Sequence, residues 1–252
     1  MEIGRPILEA HGVEKSYASG DQTVQALKGI SLSINRGEFV TVVGHSGAGK
    51  STLLHLLGGL DKPTRGKVVL EGTDLSALSE HELTLFRRHA TGFVFQFFNL
   101  LPTLDVHENI ALPFIIREHN KQEHWERVDD MVELFGLRGR DKRKVTQLSA
   151  GEQQRVALAK AFLPEPAIVI ADEPTGNLDT MTGLEVLQML WESCDNQGQT
   201  ILLVTHDPRV AAFGDRVLFM HDGELADELV LGRRDDHYDA RPVIDRLEEL
   251  GV

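Results

Sequence analysis

The chain has 252 residues, 41% of them hydrophobic, with 39 acidic against 26 basic side chains and a formal charge of −13. That is enough apolar material for a full core in one large domain with room for a subdomain, while the acidity argues against a nucleic-acid partner, which would want a basic face, and against direct binding to anionic lipid. Cys194 is the one cysteine, so there is no disulfide framework and no thiolate metal cluster, which fits a reducing cytosol; no apolar run is long enough to span a bilayer, and MEIGRPILEA at the start lacks the basic and apolar regions of a signal peptide.

In chain order, ILEAHGVEKSY, ALKGISLSI and KVVLEG are short, alternate in polarity and are punctuated by Gly, as antiparallel strands are. EFVTVVG (Glu38–Gly44) is the first of four runs that read as core strands. The others are GFVFQ (Gly92–Gln96), AIVIAD (Ala167–Asp172) and TILLVTH (Thr200–His206). Their continuous apolar character predicts a parallel sheet with both faces covered. Helical patterns lie between them, including Ser51–Leu57 and Gly151–Leu163, and such alternation predicts an α/β fold. Phe97 to about Gln147 reads as a helical insert; within it Asp105 can cap a helix with Glu108 three residues later. DRVLFMHDGEL reads as a further pair of antiparallel strands, a hairpin around Asp222-Gly223. The charged tail, Gly232–Val252, carries a stripe of Val243, Ile244, Leu247 and Leu250 after Pro242. Its acidity makes packing on its own subunit or a second copy the expectation, rather than lipid binding.

GHSGAGKST (Gly44–Thr52) matches G-x-x-x-x-G-K-[ST] between a predicted strand and a predicted helix, the context this phosphate-binding motif requires. Gly44, Gly47 and Gly49 let the backbone curl until successive N–H groups point inward, and the helix N-terminus aims its positive end at the same place. Lys50 adds a charge for β- and γ-phosphates and the Ser51 hydroxyl is a magnesium ligand. His45, Ser46 and Ala48 occupy tolerant positions where the backbone does the binding, and Thr52 follows in the first turn. Asp172 ends an apolar strand where open α/β sheets bind ligands, so it can hold Mg2+, through water. Glu173, one residue on, points elsewhere and can polarise an attacking water in line with the γ-phosphate. The plainer alternative for both acids is a helix cap or a solvated turn.

LSAGEQQRVALAKAF (Leu148–Phe162) resembles the signature of the ATP-binding cassette (ABC) ATPases, usually LSGGQ, and the resemblance then covers almost the whole chain. It implies that Tyr17 stacks on adenine, that Gln96 is the Q-loop glutamine near Mg2+ and the attacking water, that Asp172-Glu173 is Walker B with its catalytic glutamate, that GNLD with Asp179 is the D-loop and that His206 is the switch histidine. It also implies that Ser149, Ala150, Gly151 and Glu152, with Asp179, act in trans on the ATP of a second copy. Read without the family, Tyr17 is an edge-strand aromatic, Gln96 a sheet-end amide, Asp179 the cap of a helix Thr180–Trp191 and His206 a structural strand-end residue. The chain departs from LSGGQ at Ala150 and Glu152. Ala150 is strained if that position needs a positive φ and neutral or favourable if it is helical; Glu152 suits a helix N-terminus but would sit near phosphate.

LLGGLDKPTRG, GFVFQFFNLLPTLDVHENIALP, ADEPTGNLD and VTHDPRVAAFGDRV are similar to the macrolide-exporter and lipoprotein-releasing (MacB/LolD-like) group. The fold this implies is an α/β P-loop NTPase (RecA-like) core, with an antiparallel β-subdomain and a helical subdomain that carries the signature. Residues 1–231 would form the ATPase domain, with core and β-subdomain from 1–96 and 164–231 and helical subdomain from about 97–163, and 232–252 a tail with a short helix. The implied function is ATP hydrolysis by a homodimer with ATP and Mg2+, driving a separate FtsX-like integral membrane permease. The implied location is cytoplasmic, peripheral on the inner face of the cell membrane, with membrane contact only through the permease. The resulting work could be lipoprotein release, export of lipid, peptide or drug, or mechanical transmission to periplasmic partners. A cassette acting on DNA or ribosomes would carry long coiled coils or a second cassette, and a small-molecule kinase would not need the signature.

Overall fold

A computed structural model describes residues 6–20, 22–116, 122–233 and 239–251. Residues 1–5, residues 117–121 of the expected helical insert, and residues 234–238 and Val252 of the expected tail lie outside the described residues. Two sheets enclose one helix. β1 (Leu8–Ser19), β2 (Gln22–Ile34), β4 (Arg65–Leu70) and β5 (Thr73–Asp74) form an antiparallel sheet in the order β2-β1-β4-β5. β3 (Phe39–Val43), β6 (Thr91–Phe95), β7 (Ile168–Asp172), β8 (Thr200–Thr205), β9 (Arg216–His221) and β10 (Glu224–Val230) form the central sheet in the order β10-β9-β3-β8-β7-β6.

The period of two explains how the central sheet is covered on both sides. Ile168, Ile170, Leu202 and Val204 face one core with α1 (Lys50–Leu57), whose Leu53, Leu54, Leu56 and Leu57 are buried there against β1, β2 and β4. Val169, Ala171, Ile201 and Leu203 face the opposite core, shared with α3 (Val106–Ile115), α4 (Gln122–Leu134), α5 (Ala150–Phe162) and α6 (Thr180–Gln197). Each fully buried leucine of α1 contributes about 2 kcal/mol from the transfer of its side chain alone. α1 is therefore fixed between the sheets, and so is the loop that enters it.

β9 corrects one expectation. DRVLFMHDGEL was expected to give only antiparallel pairing, yet β9 runs parallel to β3, with Val40 opposite Arg216 and Val43 opposite Phe219, and is antiparallel only to β10. The reason lies in α7 (Pro208–Ala211), which carries the chain over from β8, and in Val217, Leu218, Phe219 and Met220, all buried. Four consecutive buried residues mark a strand covered on both faces. The turn to β10 is the expected hairpin, with Asp222 at φ 43° and Gly223 at φ 81°, the two left-handed residues of a type I′ turn.

Asp105 and Glu108 form the expected capping box, the Asp105 side chain accepting from the Glu108 N–H at 2.8 Å and Glu108 accepting from the Asp105 N–H at 2.9 Å. α2 (Glu80–Ala90) starts with a second such box from Ser79 and Glu82. In the tail, α8 (Arg241–Leu250) lays Val243, Leu247 and Leu250 against Val43, Ala211, Ala212, Val217 and Phe219 of its own chain. Among the described residues no helix is long and apolar enough to cross a membrane.

Candidate nucleotide site

The loop Gly44–Gly49 leaves the end of β3 and enters α1 with no room for a side chain at Gly44 or Gly49. A Cβ on Gly44 would lie 2.1 Å from the Met220 carbonyl oxygen, and one on Gly49 2.7 Å from that of Ala26. Gly49 precedes α1 at φ 98°, without a side-chain cap and with no acidic residue in the first turn. The first N–H groups of α1 are therefore left for an external acceptor. The buried Ala48 accepts a 3.0 Å hydrogen bond at its carbonyl from the Gly223 N–H, which ties the loop to the β9–β10 turn. Lys50 is only 8% exposed, and its Nζ donates to the carbonyls of Gly44 at 2.8 Å and His45 at 2.9 Å. Burial pulls the Lys50 ammonium below its ordinary pKa, against the opposing pull of Glu173 and Asp172.

A cleft of about 510 Å³ opens over this loop, with Ser46, Gly47, Gly49, Lys50, Ser51 and Thr52 on its floor. Its size is in the range of small-molecule sites. Two acids stand at the end of β7, where Glu173 lines the cleft and Asp172 lies behind Ser51. Asp172, the last residue of β7, accepts from the Ser51 hydroxyl at 3.3 Å, and burial raises its pKa above the ordinary carboxylate value. Glu173 follows at φ 48°, a conformation that costs a non-glycine residue about 1 kcal/mol or more. Its N–H still bonds to the Val204 carbonyl at 2.9 Å, continuing the ladder to β8, while the side chain swings across to the end of that strand. There Oε2 accepts from Thr205 Oγ1 at 3.1 Å and Oε1 lies 2.7 Å from His206 Nδ1. The neighbouring carboxylates thus serve different partners: Asp172 faces α1, and Glu173 faces His206 at the cleft wall.

Other expected residues lie apart from the cleft. Tyr17 is half exposed on β1, its hydroxyl donates to Asp61 at 3.2 Å, and Lys15 Nζ lies 5.1 Å from its ring centre. Its cross-strand partner Val24, not Tyr17, borders the cleft. The Gln96 amide packs over Gly176, where an added Cβ would come within 2.8 Å of its Nε2, and the Gln96 carbonyl accepts from Asn177 at 2.8 Å. Asp179 caps α6, accepting from the Met181 and Thr182 N–H groups at 3.1 Å each and from the Thr182 hydroxyl at 2.6 Å; these bonds, those of Thr182 first, hold its pKa low.

Ser149 and Glu152 form a capping box at the start of α5, and Arg140 Nε donates to the other Glu152 oxygen at 2.8 Å. Ala150 is the first residue of that helix and is absent from the positive-φ residues, so it carries no left-handed strain. Gly151 packs on α6: a Cβ there would meet Thr182 Cγ2 at 2.2 Å. The sequence reading did not single out Thr205, which holds Glu173, or Gln154, whose amide donates to the Pro174 carbonyl at 2.7 Å. A threonine immediately before His206 was the available signal for the first; the second had none.

A glycine loop feeding a helix, a strand-end Asp-Glu pair and a largely parallel sheet covered on both faces define a P-loop nucleotide-binding protein. A family model described as "ABC transporter" matches residues 27–176. The chain is 42% identical over 234 residues to an uncharacterized ABC transporter ATP-binding protein, MJ0796, of Methanocaldococcus jannaschii, covering 91% of this chain and 100% of that one. It is 44% identical over 220 residues to the lipoprotein-releasing system ATP-binding protein LolD of Bordetella pertussis, covering 87% and 95%. The chain belongs to the ABC transporter family. Its fold is similar to that of the ATP-binding cassette MJ0796 in a dimeric post-hydrolysis state bound to ADP and Pi, with a TM-score of 0.82 at 41% identity over 89% of this chain and 98% of that one.

Proposed function

We propose that this chain is the ATP-hydrolysing subunit of an ABC transporter of the lipoprotein-releasing kind. It works as a homodimer that drives a separate FtsX-like integral membrane permease from the cytoplasmic face, touching the membrane only through that permease. The observation that carries this reading is a division within one chain. Lys50, Ser51, Glu173 and His206 line one cleft, while Ser149–Glu152 begin a different helix, outside that lining, with Ser149 and Ala150 exposed. A second copy, placed as a dimer of the MJ0796 kind, would bring its own Ser149 turn to the open side of the cleft.

ATP fits the floor because the loop and the start of α1 present N–H groups with no competing side-chain acid. Lys50, now on two backbone carbonyls, would exchange them for phosphate oxygens. The Ser51 hydroxyl and Asp172 carboxylate are hard oxygen donors already in contact, a pair that suits Mg2+. Gln96 would join them only by leaving its packing over Gly176. When bound, Mg2+ supplies charge that offsets the phosphates.

Glu173, held by Thr205 and facing His206, accepts the proton of the attacking water. The water oxygen bonds to the γ-phosphorus, and the bond to the β–γ bridging oxygen breaks, leaving its electron pair on ADP. Glu173→Gln tests this directly: phosphate release should fall by about a hundredfold to ten-thousandfold, and light scattering should find an ATP-dependent dimer. Undiminished hydrolysis would refute the role of Glu173.

A further inference from the structure

Beside the nucleotide cleft, three side chains converge that the proposed hydrolysis does not use. His45 comes from the phosphate loop, His221 is the last residue of β9, and Asp222 is the first residue of the turn to β10. One ligand atom from each lies within 4.8 Å of the other two. The carboxylate stands between the rings: Oδ1 is 3.6 Å from His45 Nε2 and Oδ2 is 3.9 Å from His221 Nδ1, and the two imidazoles meet edge to face at 5.1 Å.

The orientation of His45 turns this proximity into a ligand set. Its Nδ1 lies 2.7 Å from the Ser46 carbonyl oxygen. A carbonyl only accepts, so Nδ1 carries the proton, and in the neutral ring Nε2 presents a lone pair to the Asp222 carboxylate. Two acceptors then face each other at 3.6 Å, an arrangement that a cation between them satisfies. A histidine whose other nitrogen donates to a backbone carbonyl is in the state that metal-binding histidines adopt. The backbone beneath is already joined, because Gly223 N–H bonds to the Ala48 carbonyl at 3.0 Å and Lys28 N–H to the Gly223 carbonyl at 2.9 Å. Ligand atoms around a tetrahedral zinc stand about 3.3 Å apart. Contraction by up to about 1.5 Å is within reach of side chains that are all partly or fully exposed.

We propose that His45, His221 and Asp222 form a binding site for a first-row transition-metal ion of the Zn2+ class, bridging the phosphate loop and the β9–β10 turn. Two imidazoles and one carboxylate favour such an ion over Mg2+ or Ca2+, which take oxygen ligands. Three protein ligands leave a fourth position for water or an added anion. The site is separate from the Ser51–Asp172 pair and needs no nucleotide, so its test is independent of the proposed ATP hydrolysis.

The test is Zn2+ titration of the nucleotide-free chain against a chromophoric chelator, with Mg2+ in excess to fill oxygen sites. The variants are His221→Gln and Asp222→Asn. Asparagine tolerates the left-handed turn that Asp222 occupies, so D222N removes the carboxylate without removing the hairpin, and circular dichroism checks both folds. Each variant should weaken Zn2+ binding by about tenfold or more. Absence of Zn2+ binding by the wild-type chain, or an unchanged affinity in either folded variant, would overturn the proposal.

Discussion

Two helices of this protein begin in opposite ways. α1 starts behind a left-handed Gly49, with no side-chain cap and no acid in its first turn. α5 starts behind Ser149, whose side chain and that of Glu152 satisfy each other's backbone donors, with Arg140 on the remaining carboxylate oxygen. Both ends carry the same helix dipole. What separates them is whether the chain has already filled the end with its own oxygen atoms. α1 leaves its N–H groups and a buried ammonium for an incoming anion. α5 has a carboxylate of its own, partly neutralised by Arg140, and exposes Ala150; no described hydrogen bond uses the N–H of Ala150 or Gly151. A helix N-terminus is thus a capacity for binding anions, and the local sequence decides how much of it remains.

The largest expected consequence falls on α1. Lys50→Ala removes the ammonium on the floor of the cleft that points at the loop carbonyls, and nucleotide affinity should fall about a hundredfold, or about 2.7 kcal/mol. Titration with a fluorescent ATP analogue reads this directly. An affinity within a factor of two of wild type would mean that the loop backbone alone holds the phosphates. At α5 the equivalent change, Ser149→Ala, removes a cap rather than a charge. It should cost about 1 kcal/mol of unfolding free energy in urea. If it reduced the affinity of a single chain for nucleotide as much as Lys50→Ala does, the two ends would be equivalent and the distinction would fail.

The floor of the cleft could be read before any coordinates because its chemistry is local. Three glycines, Lys50 and Ser51 between a β-branched run and a leucine-rich helix are contiguous, and Asp172 ends an apolar run that has no other reason to stop at an acid. The parallel core followed from Ile168–Asp172 and Thr200–Thr205 for the same reason: strands buried on both faces are apolar throughout. β9 carried the same signal in VLFM, but the adjacent Asp222-Gly223 turn drew attention to its antiparallel partner instead.

What was not readable depends on packing across the chain. Gln96 follows β6 as expected, but only Gly176, eighty residues on in sequence, decides where its amide rests. Glu173 gives no sign of a positive φ, since glutamate does not favour it; the backbone bond to Val204 and the side-chain bonds to Thr205 and His206 impose it. α2 buries only Leu83 and Ala90, so its apolar period is too thin to stand out, although Ser79 and Glu82 carry the spacing of a capping box.

Smaller effects probe the two departures from the usual signature. Ala150 is helical and exposed, so Ala150→Gly relieves no strain; it should cost about 0.5 kcal/mol of stability. ATP-linked dimerisation, followed by sedimentation in a Glu173→Gln background, should not tighten. Tightening would mean that the position becomes left-handed when two copies meet.

The smallest expected effect concerns Glu152. Its carboxyl is held below the usual glutamate value, first by the Ser149 N–H and then by Arg140. A depressed folded-state pKa adds stability that is fully present above the unfolded value of 4.5 and is lost as pH falls through the folded value. Glu152→Gln keeps an oxygen acceptor for the capping box but cannot titrate, and it gives up the ionic contact with Arg140. At neutral pH the variant should therefore be slightly less stable than wild type, by a few tenths of a kcal/mol (roughly 0.3). As pH falls below 4.5 the unfolded chain takes up its proton first, and the advantage is lost as pH falls on through the lower folded value, so the two melting curves should converge. Curves that stay parallel from neutral to acid pH would show that the α5 end gains nothing from its charge. Glu152 would then matter only as a hydrogen-bond acceptor, and the contrast with α1 would rest on Gly49 and Lys50 alone.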